Sequence, residues 1–201
     1  QYGSGLQDTR WTVSGSIFEC YFAQPINGFG EALFYQRAGE SLTFQLRAGN
    51  NLMDYSKAAV SLVSPPWRPS EQPENLGQVM INRSGPLLSL DSRRASTLLH
   101  GLMEGRRPTI SQKTFYDARR FVEVYVSPAG FATYYPEFLN CRNQMLTVNF
   151  DQIARSRVLF GVGEDHIDKQ DRQTLDRIVY YLRRDPRVKA IYLDGHSDAG
   201  G

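Results

Sequence analysis

Strict two-residue alternation is the feature that most constrains this chain. In Ser41–Arg47 (SLTFQLR), Leu42, Phe44 and Leu46 fall on one side and Thr43 and Gln45 on the other. Successive strand side chains point to opposite faces, so such a segment buries its apolar set as a half-buried β-strand. Arg120–Ser127 (RFVEVYVS) repeats the pattern with Val122, Val124 and Val126 inward. Thr9–Ser14, Ser16–Phe22, Glu31–Gln36, Ala58–Val63 and Gln78–Asn82 read as further strands, separated by Gly, Pro and Asn. One helix interrupts them: Asp91 or Ser92 caps it, Ala95, Leu98, Leu99 and Leu102 form its buried stripe, and Gly105 ends it. A second is expected to start near Pro136 and to carry Phe138, Leu139, Cys141, Met145 and Leu146. Many strands in a run with few helices predict an α+β chain whose N-terminal part is an antiparallel barrel or sandwich.

The last 45 or so residues change period. Arg157–Gly161 reads as a short strand. A helix follows, with Ile167 before the cap, Asp168 as N-cap, Asp171 three residues on, and Leu175, Ile178, Val179 and Leu182 on one face. Asp185–Pro186 stops that helix, and Val188–Leu193 is a second strand. This β-α-β pattern differs from what precedes it, so a boundary is placed in Thr147–Ala154, giving domains 1–148 and 149–201.

Size and composition narrow the function. With 201 residues, 41% hydrophobic and 22% charged, the chain can build one sizeable core and part of another, and is not a disordered or fibrous sequence. No apolar run reaches the roughly 18–20 residues that span a bilayer. Twenty-three basic against 21 acidic residues leave +2, too balanced for a nucleic-acid-binding face. The paired arginines Arg93–Arg94, Arg106–Arg107 and Arg119–Arg120 read as solvated faces, or as a patch for an acidic partner. Two distant cysteines, Cys20 and Cys141, and three histidines, with no CxxC, match no metal spacing, and no cofactor is expected. The two thiols are either free and buried or joined in one long-range bridge, which requires an oxidising compartment. The chain opens at Gln1 with no basic-then-apolar leader, which fits a secreted chain whose signal peptide has been removed, or simply an arbitrary boundary of the sequence.

Residues Val158–Gly201 resemble the opening half of an OmpA-like peptidoglycan-binding domain. The pieces are Leu159–Phe160, the helix pattern Leu175–Asp176–Ile178–Leu182, Pro186, Ile191–Leu193, then Gly195–His196–Ser197–Asp198 and Gly200. The preceding part is similar to the MotY family of periplasmic flagellar motor proteins. The carriers are Pro25–Ala38 (PINGFGEALFYQRA), Ser64–Ser70 (SPPWRPS) and the positions of Cys20 and Cys141. The resemblance implies that Cys20 and Cys141 pair in the periplasm. It also implies that the N-terminal domain docks, with MotX, on a flagellar basal-body ring, that the C-terminal domain holds peptidoglycan, and that the assembly retains stator complexes.

In OmpA-like domains the Asp of this loop contacts the diaminopimelate of the stem peptide, which carries that role to Asp198. A carboxylate there accepts charge-assisted hydrogen bonds from an ammonium. Backbone N–H groups of a Gly-flanked loop (Gly195, His196, Ser197) can meet the ligand's carboxylate. The first loop holds Val162–Gly163 where many relatives have Phe-Asp. The family's Arg-bearing NxxLSxxRA helix does not occur within these residues. Trp67 and Arg68 are candidates for a partner-binding loop, since Trp and Arg are enriched in interface hot spots. The alternative there is a rigid connection with Trp67 covering the core edge.

The string His196–Ser197–Asp198 is not a catalytic triad, because adjacent residues of an extended loop cannot converge on one point. No GxSxG elbow or phosphate-cradling GxxxxGK occurs. The expectation is a structural, non-enzymatic anchor. Its alternatives are another envelope protein that anchors to peptidoglycan, and a cell-wall hydrolase carrying an OmpA-like binding module.

Overall fold

The computed structural model describes residues 1–5, 8–49, 52–65, 68, 71–113 and 121–196. The chain divides into two compact units, Gln1–Thr147 and Val148–Gly201. Among the described residues the first contains nine strands: β1 (Thr12–Gly15), β2 (Glu19–Ile26), β3 (Gly30–Arg37), β4 (Thr43–Ala48), β5 (Lys57–Val63), β6 (Glu74–Met80), β7 (Leu88–Leu90), β8 (Arg107–Lys113) and β9 (Phe121–Tyr125). Two helices accompany them, α1 (Ser92–Met103) and α2 (Phe131–Gln144). This is the α+β, β-rich organisation the sequence predicts.

The strands form two antiparallel sheets, one ordered β1-β2-β3-β4-β7 and one β6-β5-β8-β9. Register explains the core. Phe22 lies opposite Phe34, Phe34 opposite Phe44, and Phe44 opposite Leu90, so four strands deliver one row of buried side chains. In the second sheet Val60, Ile110 and Val124 form the matching row. A one-residue slip in any pair would turn the whole row outward, which fixes the pairing. Trp11 packs on Phe22 with ring centroids 4.4 Å apart, and Phe131 of α2 stands edge-on to it at 5.2 Å.

The alternating strands and α1 fall close to their predicted places. Asp91 is the N-cap, its carboxylate accepting from the Arg94 amide at 2.9 Å, and Ala95, Leu98, Leu99 and Leu102 are buried. β8 was not predicted, because its core-facing position 112 is polar and Pro108 interrupts the segment. A bend in the chain ahead of β5 meets the NH2 group of the buried Gln112, which donates to the Asp54 carbonyl at 2.9 Å and the Ser56 hydroxyl at 3.1 Å, while its side-chain oxygen is left without a partner. β6 begins four residues earlier than expected, with Gly77 at φ 88° beside a register shift against β5.

Helix α2 departs further. It starts at Phe131, so the expected start near Pro136 is five residues late, and Pro136 lies inside it. A proline there removes one helical hydrogen bond. The helix persists because Phe131 and Phe138 are buried against Phe22, at 5.3 and 5.2 Å. Leu139, which the helix was expected to carry, is exposed, and Met145 and Leu146 lie beyond its end.

In the second unit a 3₁₀ turn, Phe150–Gln152, is closed by a reciprocal capping box with Asn149. Helix α3 (Lys169–Leu182) has Asp168 as N-cap, as predicted, accepting from the Asp171 amide at 2.7 Å. Residues 157–161 and 188–193, expected as strands, join no ladder among the described residues, and Leu159, Phe160, Ile191, Tyr192 and Leu193 are exposed. A strand needs a paired neighbour, and the described residues provide none for either segment. A helix satisfies its backbone internally and needs no such partner.

Candidate functional site

Cys20 in β2 and Cys141 in α2 form a disulfide with Cα atoms 6.1 Å apart. This decides between the two readings the sequence left open. Gly15 makes room for it, since a Cβ there would sit 2.7 Å from the Cys141 sulfur. The bridge ties α2 to the five-stranded sheet, and Arg142 adds a hydrogen bond to Gln36 of β3 at 2.6 Å.

On β2 and β3, Tyr21 lies opposite Tyr35 with rings 4.9 Å apart, and the Tyr35 hydroxyl donates to the Glu19 carboxylate at 3.0 Å. Partial burial, then the neighbouring Glu19 carboxylate, raises the pKa of both phenols above the ordinary tyrosine value. Both therefore stay neutral in the folded state well into the alkaline range.

The loop after β5 brings the partner candidates into view. The Arg68 amide donates to the Pro65 carbonyl at 2.9 Å, and the Arg68 guanidinium pairs with Glu71 at 3.6 Å. The Glu71 carboxylate also accepts from the Ser64 hydroxyl at 3.1 Å, so Arg68 sits in a closed loop with its charge partnered. Trp67 lies outside the described residues. Of the paired arginines, Arg106 bonds Glu74 at 2.7 Å and the Leu62 carbonyl at 3.3 Å, while Arg107 stacks over Tyr125 at 4.5 Å. Both are absorbed by contacts within the fold. Arg94 lies 4.0 Å from Asp91, and Arg119–Arg120 lie outside the described residues.

In the second unit, Gly195 and His196 are exposed after residues 188–193, and Ser197 and Asp198 lie outside the described residues. Val162 and Gly163 occupy an exposed turn, with Gly163 at φ 73° and the Glu164 amide donating to the Gly161 carbonyl at 2.9 Å. Among the described residues no hydrogen bond or ion pair links Val162–Gly163 with Gly195–His196. Residues 157–161 are tied to the helix instead, the Leu159 amide donating to Asp171 at 3.1 Å.

The sequence reading missed a cluster at the end of α3. Asp185, nearly fully buried, accepts from the Arg187 side chain at 2.8 and 2.9 Å, from the Arg187 amide at 3.1 Å and from the buried Tyr181 hydroxyl at 2.7 Å. The Arg187 hydrogen bonds hold the Asp185 carboxyl well below the usual carboxylate range, and the same contact raises the Arg187 pKa. Burial, then the bond to Asp185, pushes the Tyr181 phenol up. The signal was present as Tyr-x-x-x-Asp-Pro-Arg at a helix end, but Asp185–Pro186 was read only as a stop. The cluster holds the turn at residues 185–187 against the end of the helix.

Among the described residues no helix is long and apolar enough to cross a membrane, and no group of His, Cys, Asp or Glu could hold a metal ion. A two-sheet α+β unit closed by a disulfide defines the first unit as a disulfide-bonded domain of the kind that persists in oxidising compartments. The family model for the MotY N-terminal domain matches residues 2–147, and the chain belongs to that family, one of structural components of the flagellar motor. The chain is also similar to the sodium-type flagellar protein MotY of Vibrio parahaemolyticus serotype O3:K6, at 24% identity over 202 residues covering 99% of this chain and 69% of that protein.

Proposed function

We propose that this protein is a periplasmic link between the flagellar basal body and peptidoglycan, and that it helps stator complexes stay in place against torque. The first unit docks on a basal-body ring together with MotX, and the second unit holds the wall. The observation that carries the reading is the joining, in one chain, of the family match over residues 2–147 to a tail ending in the Gly195–His196–Ser197–Asp198 pattern. In this role Asp198 accepts from the ammonium of a diaminopimelate side chain, and the Gly195–Ser197 backbone meets its carboxylate. Val162 and Gly163 border the ligand, while Trp67 and Arg68 belong to the docking side. The role is mechanical and involves no turnover.

Co-sedimentation with purified sacculi tests the wall contact, with the chain and an Asp198→Ala variant side by side. Binding by the unmodified chain that drops at least tenfold in the variant is expected. Equal binding by both would remove Asp198 from the site, and binding by neither would remove the wall contact from this chain. Clearing of the sacculi would favour the hydrolase alternative.

A further inference from the structure

The edge of β9 is covered by the chain's own first residues. The Tyr2 amide donates to the Glu123 carbonyl at 2.7 Å, and the Tyr125 amide donates back to the Tyr2 carbonyl at 2.9 Å. The Tyr2–Val124 bridge is parallel, whereas every strand pair of the two sheets is antiparallel among the described residues. Around this short ladder the fit is specific. The Gln1 amide donates to the Glu123 carboxylate at 2.5 Å. The Tyr2 ring packs on Phe29 at 5.6 Å. The buried Ser4 hydroxyl donates to the Pro25 carbonyl of β2 at 2.8 Å. At position 3 a Cβ would lie 2.1 Å from the Tyr125 ring, so any larger residue there would have to displace that ring.

Residues 1–4 therefore form a strap. It lies on the edge of one sheet and fastens to the β2–β3 hairpin of the other. Its hold consists of two ladder bonds, three side-chain hydrogen bonds (the third from the Thr9 hydroxyl to the Ser4 carbonyl at 3.4 Å) and the packing of the Tyr2 ring. A strap held so locally can leave without breaking either sheet, and its departure bares the β9 edge. An unpaired strand edge is a template for another extended segment. The sequence such a site fits best is the one it already holds, and exchange of an identical element between copies is a low-cost route to assembly.

We propose that the β9 edge is an interaction surface for a second copy of this chain, which inserts its own Gln1–Ser4 strap in place of the resident one. Gln1 of one copy then bonds Glu123 of its neighbour, and Gly3 of one copy lies beneath the neighbour's Tyr125. The strap and the edge it occupies are different surfaces of each copy, so the contact is heterologous and can propagate from copy to copy. Beyond the strap, Gly5 accepts from the Asp8 amide at 3.1 Å and from the Thr9 hydroxyl at 2.7 Å, a turn from which the chain re-enters at Trp11.

The test uses the full chain in two single variants, Gln1→Cys and Glu123→Cys, incubated together at high concentration and oxidised with diamide. A Gln1→Cys/Glu123→Cys double variant at low concentration is the internal control. The expected result is a mixed dimer, identified by mass as one chain of each kind and diminished at least tenfold by excess unsubstituted chain. The control closes within one chain. Closure of the control with no mixed dimer would overturn the proposal, because the strap would lie on β9 without exchanging. A control that does not close would overturn it too, since the strap would not occupy that edge in solution.

Discussion

The carboxamide of Gln24 and the backbone of Ser127 make a reciprocal pair. The Gln24 amide donates to the Ser127 carbonyl and the Ser127 N–H donates to the Gln24 side-chain oxygen, both at 2.8 Å. Gln24 belongs to the five-stranded sheet and Ser127 follows the last strand of the other, 103 residues later. Both residues are buried. One side chain thus does across the seam between the sheets what a strand does within a sheet.

Replacing Gln24 with alanine leaves the Ser127 N–H and C=O buried without partners, which costs about 1–3 kcal/mol for each unsatisfied group. Gln24→Ala is expected to lower unfolding stability by about 3 kcal/mol in urea titrations. A shift below 0.5 kcal/mol would mean that water replaces the amide and the seam is not dry.

The Cys20–Cys141 bridge closes a loop with a sequence separation of 121. In the chain-entropy account a loop of that size contributes about 4–5 kcal/mol. A Cys20→Ser, Cys141→Ser double variant should lose that much, reaching the limit of folding at 37 °C. Unchanged thermal unfolding between the oxidised protein and the variant would contradict this.

At acid pH the second unit should weaken through Asp185. Its folded pKa is depressed, so its contribution is complete above the unfolded value near 4 and is lost as pH falls below that toward the lower folded value. Circular dichroism of α3 should be flat from about pH 7 to 5 and fall below about 4. In an Asp185→Asn variant, the difference from the unmodified chain should shrink as pH drops through that window. A constant difference would assign the acid sensitivity elsewhere.

At alkaline pH the sign reverses for Tyr21 and Tyr35, whose folded pKa values are raised. Their contribution is complete below the unfolded value near 10 and is lost as pH rises through the folded values. Absorbance titration of phenolate should show a late phase, accompanying unfolding, that includes these two and Tyr181. Glu19→Gln should bring the late phase to lower pH; no movement would exclude the carboxylate as a cause.

Gly30 pairs with Ala48 where a Cβ would lie 2.0 Å from the Arg47 carbonyl oxygen. That clash is with backbone, which cannot rotate away. Gly30→Ala is expected to cost about 2 kcal/mol or more and to open the β3–β4 pairing. Faster amide exchange confined to β3 and β4 would locate the damage, and unchanged exchange there would refute it.

What the sequence determined by itself was local. Leu42, Phe44 and Leu46 alternate and are buried; Asp91 and Asp168 cap the helices they precede. In each case the deciding interactions lie within a few residues, so period and cap chemistry carry the information. The tail motif around Gly195 was legible as a pattern of residues, but the pattern carries no geometry.

What the tertiary structure decided depended on distant partners. Pro136 lies inside α2 because Phe22, more than a hundred positions away, holds Phe131 and Phe138. Gln112 can face the core because the bend before β5 supplies its acceptors. Residues 157–161 and 188–193 have strand composition and form no ladder among the described residues, since a strand exists only with a neighbour to pair with. Tyr181, Asp185 and Arg187 form a cluster through burial, which no spacing rule reports. The pairing of Cys20 with Cys141 rests on the same cause. Two thiols far apart in sequence become a bridge only where the fold of β2 and α2 brings their Cα atoms to 6.1 Å.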